Sequence, residues 1–412
     1  SRATICCWAM GLTQQPDSVA TIQQIVNFLL LRGNVGRPGA GACPVRGHSN
    51  VQGDRTMGIC ERMPEPWLER LEAEFGFQAP RTPGLDTVGT IRAMHAGRVQ
   101  ALVAMGGNFL SATPDTEFTA AALRRCALTA HVATKLNRAH LITGRTALIL
   151  PCLGRTERDV QAGGEQFVTT EDSMGIINTS RGQLAPAAES LRSEVAMVAG
   201  LAQAVFAGAH GEPEERGGAA IPWRELAADY DRIRERVARV VPGFEGFNAR
   251  VRMGVFRLPH PVRDRREWRT PSGRANFVVA PIPRYWLERG GGNSGSEYVM
   301  MTIRTHDQFN TTIYGLDDRY RGVFGGRRVV FMHESDIREA GLQPGQWVDL
   351  TNRHGGVERV ARSFMVAPYR IPRGCVATYF PEANVLVPID SVAAKSNTPA
   401  SKFVVVTIAA AR

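Results

Sequence analysis

Between residues 87 and 151, helical patterns alternate with short apolar runs, and this alternation limits the fold more than any other feature of the sequence. A helix predicted from Thr87 to about Gly97 leads into Ala101–Met105, which ends in Gly106-Gly107-Asn108. A second helix, near 115–125, precedes the apolar run Ala127–Thr134, and Thr146–Leu150 is a third such run, closed by Pro151. Strands joined through helices must lie parallel, so this region predicts an α/β domain with a parallel sheet, resembling a dinucleotide-binding domain. Ligands of such sheets bind beyond the carboxyl ends of the strands, which here are Met105–Asn108, Thr134–Asn137 and Pro151–Gly154.

Four regions follow from the pattern. Residues 1–79 read as the end of one α/β domain with a Gly-rich segment, and 80–205 as the dinucleotide-binding-like domain. Residues 206–296 read as a helical or irregular connection with a polar breaker at 211–218 and a linker at 289–296 (RGGGNSGS). Residues 297–412 carry short β-rich runs and predict a C-terminal β-barrel. In the first region, residues 3–10 read as a buried strand. Asp17-Ser18 can cap a helix with Val19, Ile22, Ile25, Val26, Leu29 and Leu30 on one face, and Gly33 is placed to end it.

Lys and Arg outnumber Asp and Glu by 49 to 39, a net charge of +10 that can serve nucleic acid, acidic lipid or an anionic cofactor. The arginines are spread out and aromatics make up 7%, so the stacking stripe of a nucleic-acid binder is absent. No run of eighteen uncharged apolar residues predicts a membrane span. The opening SRATICCWAM lacks signal-peptide character. Seven irregularly spaced cysteines, none at C-x-x-C spacing, predict reduced thiols and a cytoplasmic setting, with no local metal motif.

The stretch GNVGRPGAGACPVRGHSNVQG, residues 33–53, holds six glycines. Glycine permits close backbone approach, and exposed amides can cradle phosphate. The stretch follows a helix and lacks Gly-Lys-Ser/Thr, so it is neither a Walker loop nor a G-x-G-x-x-G turn after a strand. Glycine content alone fits a tight crossover. The polar side chains of Arg46, His48, Ser49, Asn50 and Gln52 behind it need hydrogen-bond partners, which points to a ligand.

This stretch, read on through Ile59, resembles the signature segment of the molybdopterin oxidoreductases related to formate dehydrogenase, most of all the branch called oxidoreductase alpha (molybdopterin) subunit. Further segments resemble the family in the same order: WAMGLTQ (8–14), GGN (106–108), ILP (149–151), TPSGR (270–274), RTHDQFN (304–310), NVL (384–386) and PASKF (399–403). The chain resembles the carboxy-terminal portion of such proteins. The resemblance implies a double-psi type for the barrel and a molybdenum or tungsten ion held by two molybdopterin guanine dinucleotides. It also implies a two-electron redox reaction on a small anion such as formate and an electron-accepting subunit or protein. A [4Fe–4S] cluster and the metal-ligand residue belong to the amino-terminal portion in members that have them, and no cysteine here matches either.

By position, the resemblance implies that Arg46 holds a small carboxylate; pairing with a cofactor phosphate or a structural acid is the other reading. It implies that His48 donates to a pterin or moves protons, against a purely structural imidazole. Asn50, Gln52 and Gly53 then touch a pterin, and Gly11, Gln14 and Ser49 are further cofactor-binding candidates. Gly106, Gly107, Asn108, Lys135 and Asn137 face one nucleotide end. Arg304, Thr305, Gln308, Asn310, Tyr379, Asn384 and Lys402 are the C-terminal candidates. Gln15 stands where the family often has His. Two rival readings remain: a cofactor-binding homologue without redox turnover, and a module binding free guanine nucleotides without metal.

Overall fold

The computed structural model describes residues 2–206, 221–282, 297–311 and 313–411. Strand β1 (Ile5–Trp8) is followed by a single helical turn, α1 (Met10–Thr13), and by helix α2 (Ser18–Leu31). The run at 3–10 is therefore only a four-residue strand, exposed or half-buried along its length rather than buried, and the residues after it turn into a helix. Asp17 sits at the N-cap of α2 without a side-chain bond to the helix. At the other end Gly33 takes φ +63, its N–H reaches Leu30 O, and the Asn34 N–H reaches Leu29 O. This is the left-handed cap that glycine makes without strain.

The Gly-rich stretch is not wholly irregular. Its Gly41–Pro44 forms β2, which runs parallel to β1 with Cys7 opposite Cys43 and Trp8 opposite Pro44. Its last residues open helix α3 (Val51–Thr56), and α4 (Glu65–Phe75) follows.

The alternating region folds as its pattern predicts: α5 (Thr87–His95), β3 (Ala101–Met105), α6 (Phe109–Ala112), α7 (Thr116–Arg124), β4 (Leu128–Ala133) and β5 (Thr146–Pro151). Strands β3, β4 and β5 form a parallel sheet in that order. Ile91, Met94 and Leu123 from the two covering helices are fully buried. Each contributes about 2 kcal/mol by leaving water.

Next come two short pairs that the sequence pattern did not reveal: β6 (Val160–Gln161) with β7 (Gly164–Glu165), and β8 (Val168–Glu171) with β9 (Ile176–Ser180). Helices α8 (Glu194–Phe206), α9 (Trp223–Ala228), α10 (Tyr230–Val240) and α11 (Phe247–Met253) then lead to β10 (Phe256–Arg257), which pairs with β9, and to α12 (Pro261–Arg265). The breaker at 211–218 and the linker at 289–296 lie outside the described residues.

The final region is a closed barrel of β11 (Glu297–Ile303), β12 (Val329–Met332), β13 (Trp347–His354), β14 (Val357–Pro368), β15 (Cys375–Tyr379) and β16 (Val404–Ala410), with helix α13 (Glu334–Glu339) after β12. Around the barrel the order is β11-β15-β12-β14-β13-β16. All four residues of β12 are buried because Val330 and Met332 face one apolar cluster while Val329 and Phe331 face another. A strand covered on both faces reads as a continuous apolar run, as VVFM does.

The barrel is tied to the parallel-sheet region through Asp115. Its carboxylate accepts from Arg359 Nη2 at 2.7 Å and from the Ile389 N–H at 3.2 Å, and the Asn384 side chain donates to Ser111 O at 2.7 Å.

Candidate functional site

The β1–β2 pair carries two loops to one place. After β2 the Val45 N–H still bonds Trp8 O at 2.7 Å, and the chain then turns through Arg46–Asn50 into α3. A side chain on Gly47 would stand 3.5 Å from Met10 Cε and 4.0 Å from Arg304 Nη1. The His48 ring lies 6.5 Å from that of Phe309. The Lys402 N–H donates to Gln14 O at 3.0 Å, and Gln15 Nε2 donates to Lys402 O at 3.3 Å. The turn after β1, which contains Gly11 and Gln14, the Arg46–Asn50 segment, the Arg304–Asn310 loop and Lys402 therefore share one wall.

Two cations meet there. The Lys402 ammonium donates to the carbonyl and hydroxyl of Thr302, both uncharged, while the Arg304 guanidinium reaches Met10 Sδ at 4.0 Å and stacks 5.2 Å over the Phe380 ring. Among the described residues neither is paired with a carboxylate. Burial, and then the nearby Arg304 charge, pull Lys402 down to about 8, and burial lowers Arg304. Half-buried like charges cost free energy unless an anion offsets them. This corner is an electrostatic demand for a negative group.

On the same wall, Arg46 donates to Gln52 Oε1 at 3.2 Å, and its N–H donates to Ser173 Oγ at 3.1 Å. Among the described residues Arg46 has no acid partner, so its charge is available. His48 Nδ1 accepts from the Asn50 N–H at 3.1 Å, which leaves the neutral ring its proton on Nε2. Ser49 is exposed.

Asn50 and Gly53 are engaged inward. Asn50 Oδ1 accepts from the Glu171 N–H at 3.0 Å, and its Nδ2 donates to Asp54 Oδ1 at 3.1 Å. The Asn50 amide occupies the space a Gly53 side chain would need, so Gly53 makes room for Asn50. Behind them lies a cavity of about 200 Å3, bordered by Phe167, Glu171, Arg234 and Phe244.

Gly106 and Gly107 follow β3 with φ +69 each and open space where side chains would stand. Asn137 Nδ2 donates to Gly107 O at 2.9 Å, which joins the ends of β3 and β4 and places the exposed Lys135 two residues before that contact. Asn108 caps α6 through the Ser111 N–H at 3.3 Å. Two adjacent left-handed glycines at a strand end form a backbone cradle with room for a phosphate or base.

The remaining barrel candidates brace the loop from within. Gln308 donates to the carbonyls of Asn310 (2.8 Å) and Phe380 (2.7 Å), while its Oε1 accepts from the Thr305 N–H and from Arg327 Nη2. Tyr379 is fully buried, with its hydroxyl on Asp318 at 2.9 Å, and burial raises its pKa. Asn384 serves the barrel–sheet junction. The structure thus gathers Arg46, His48, Arg304 and Lys402 with Gly11 and Gln14, and assigns Tyr379 and Asn384 to the interior.

The sequence reading passed over four supporting residues. Ser173 and Glu171 lie in TTEDSMG, whose turn-forming composition marks a tight β8–β9 connection; Arg327 and Asp318 hold the Arg304–Asn310 loop from below. Among the described residues no three His, Cys, Asp or Glu side chains gather as a metal-ligand set, and no helix is long and apolar enough to cross a membrane. The uncompensated cations and the glycine cradle fit a large polyanionic cofactor.

Residues 298–405, nearly the whole barrel, match the family described as Molydopterin dinucleotide binding domain. An uncharacterized oxidoreductase of Mycobacterium tuberculosis is 55% identical over 98% of this chain and 51% of its own length. Protein YdeP of Escherichia coli is 45% identical over 97% of this chain and 52% of its own length. The chain therefore spans about half the length of these relatives. In fold it is similar to acetylene hydratase from Pelobacter acetylenicus, with a TM-score of 0.51, 12% identity, and coverage of 83% of this chain and 49% of that one.

Proposed function

We propose that this chain belongs with the molybdopterin oxidoreductases and supplies one wall of a molybdenum or tungsten centre carrying two molybdopterin guanine dinucleotides. The observation that carries the reading is the Arg304–Lys402 corner, two cations without an acid partner among the described residues, inside the matched domain. We take the barrel, whose pairings mix parallel and antiparallel strands, to be of the double-psi type.

In this reading Arg304 and Lys402 neutralise cofactor phosphate or pterin oxygen. Thr305, Gln308 and Asn310 hold the loop that presents Arg304. Gly106, Gly107, Asn108, Lys135 and Asn137 receive one nucleotide end. Gly11 and Gln14 support a pterin from the turn after β1, with Ser49 on the opposite loop and Gln52 in the first turn of α3. When bound, the group supplies the two-electron redox chemistry. Arg46 takes the substrate carboxylate, because a guanidinium is permanently charged and binds such anions through two donors. His48, whose Nδ1 accepts from the Asn50 N–H, offers its Nε2 for proton exchange.

The substrate class is a small carboxylate such as formate, and electrons leave to a separate acceptor subunit or protein. Any [4Fe–4S] centre belongs to the other half of the relatives' length. The setting is the cytoplasm, where seven free thiols persist.

The test is the full polypeptide, made with molybdate or tungstate, analysed for metal and for pterin fluorescence after oxidation, and assayed with formate and an artificial acceptor. Metal, two pterins per chain and an Arg46→Ala variant with a raised KM for formate support the reading. Protein free of both metals and of pterin overturns it. Loaded protein without turnover on any small anion would instead establish the non-catalytic homologue.

A further inference from the structure

Three sulfurs from three separate segments converge on the edge of the Gly-rich stretch. Cys7 of β1 and Cys43 of β2 are register partners in a parallel pair, so their side chains project from the same face as neighbours. Cys43 Sγ lies 3.9 Å from Met174 Sδ, which comes from the β8–β9 turn. Cys6 alternates to the opposite face of β1 and takes no part.

The arrangement is held without any ligand. The Arg46 N–H, three residues after Cys43, bonds Ser173 Oγ at 3.1 Å, and Arg46 and Ser173 thus tie the two segments together. Asp172 Oδ1 accepts the N–H groups of Met174 and Ile176 at 2.8 and 3.1 Å, while Gly175 turns at φ +73. Arg263 Nη1 donates to Met174 O at 3.2 Å, which steadies the turn, while the rest of its guanidinium pairs with Asp264. Cys7 and Met174 are exposed and Cys43 is half-buried, so an ion can reach the group.

We propose that Cys7, Cys43 and Met174 form a three-sulfur binding site for one monovalent copper ion. Metal–sulfur bonds are about 2.3 Å long, so three sulfurs around one ion in a plane stand about 4 Å apart. The Cys43–Met174 separation already has that value. Thiolate and thioether donors select Cu(I), whereas zinc takes four ligands of the thiolate, imidazole or carboxylate kind. Binding converts two thiols to thiolates and releases two protons, and the bound group carries one net negative charge at a site open to solvent. No oxidant or reductant enters the step. None of the three sulfur ligands is assigned to the proposed cofactor wall, and Arg46 contributes only its backbone N–H here, so copper withdrawal tests the site independently of that reading.

The experiment is anaerobic titration of the reduced full-length chain with Cu(I) held by a coloured chelator. The expected result is withdrawal of one equivalent of copper with two protons released. Cys43→Ser should abolish withdrawal, and Met174→Leu, a volume-conserving change at an exposed position, should weaken it by at least about tenfold. Cys60→Ser serves as a control, since Cys60 and Met63 form a two-sulfur pair at 3.1 Å elsewhere. Copper left on the chelator, or equal withdrawal by a Cys7→Ser/Cys43→Ser chain, overturns the proposal. So does loss of binding in Cys60→Ser alone. A chain that ignores copper but forms a Cys7–Cys43 disulfide with oxidised glutathione makes the pair a redox couple and removes the metal assignment.

Discussion

Lys402 directs its ammonium onto the carbonyl and hydroxyl of Thr302 while lying close enough to Arg304 for that charge to depress its pKa. The placement sets two cations close together against uncharged partners, at an electrostatic cost that an anion would offset.

That cost has a pH signature. The folded Lys402 pKa of about 8 lies below the ordinary 10.5. Between these values the unfolded chain binds more protons, so stability rises with pH across the window, and the full penalty is present below about 8. Thermal melts of the cofactor-free chain should show that rise. Lys402→Met should flatten it and raise the melting temperature at pH 7, relieving on the order of 3 kcal/mol at most. Pyrophosphate should stabilise the wild-type chain more at pH 7 than at pH 10.

Asp115 holds the barrel to the parallel sheet through Arg359, and both side chains are almost fully buried. Removing one partner strands a charge, so Asp115→Ala should cost about 3–5 kcal/mol in urea unfolding. The Asp115→Leu/Arg359→Met double variant should recover much of that loss, and a double-mutant cycle measures the coupling.

Gly53→Ala tests the inward role of Asn50. The added methyl collides with the Asn50 amide and forces it off Asp54 and the Glu171 N–H. A loss of about 1–3 kcal/mol is expected by denaturant titration. A stability within about 0.5 kcal/mol of wild type would show that Asn50 is free to move.

Glu171 is a buried carboxyl whose pKa is raised chiefly by burial, against the lowering effect of the Thr56 hydroxyl that donates to it at 2.5 Å. With a raised folded pKa the native state holds the extra proton, so stability falls as pH rises from the ordinary carboxyl range through the folded value. Glu171→Gln, which still accepts from Thr56, should remove that fall. Chemical denaturation from pH 4 to pH 8 distinguishes the two profiles.

Much of the fold was legible because its elements follow simple periods. The run Ala101–Met105 and the helices flanking it carry their own pattern, and VVFM betrays a strand covered on both faces. The β8–β9 pair was not legible, since Thr169 and Thr170 in VTTE lack an apolar alternation and its partner's register is set by the turn at Asp172. Likewise β2 hid among glycines, because pairing with β1 rather than local propensity makes GACP extended. Within the candidate site, Arg46, His48, Arg304 and Lys402 were visible as polar residues in glycine-rich or family-like segments. The inward commitment of Asn50, Gln308 and Tyr379 was not, because it depends on Glu171, Arg327 and Asp318, which come from other parts of the chain.

The barrel closes by pairing its first strand with its last: Tyr298 lies opposite Val406, and Met300 opposite Val404. During synthesis at roughly 5–20 residues per second, β11 emerges well before β16 and cannot complete its ladder meanwhile. The parallel sheet has no such wait, since its three strands and their helices are contiguous. The order of synthesis thus brings Arg304 and Lys402 together only after the earlier segments of the wall, from the turn after β1 to the Arg304–Asn310 loop, have been made.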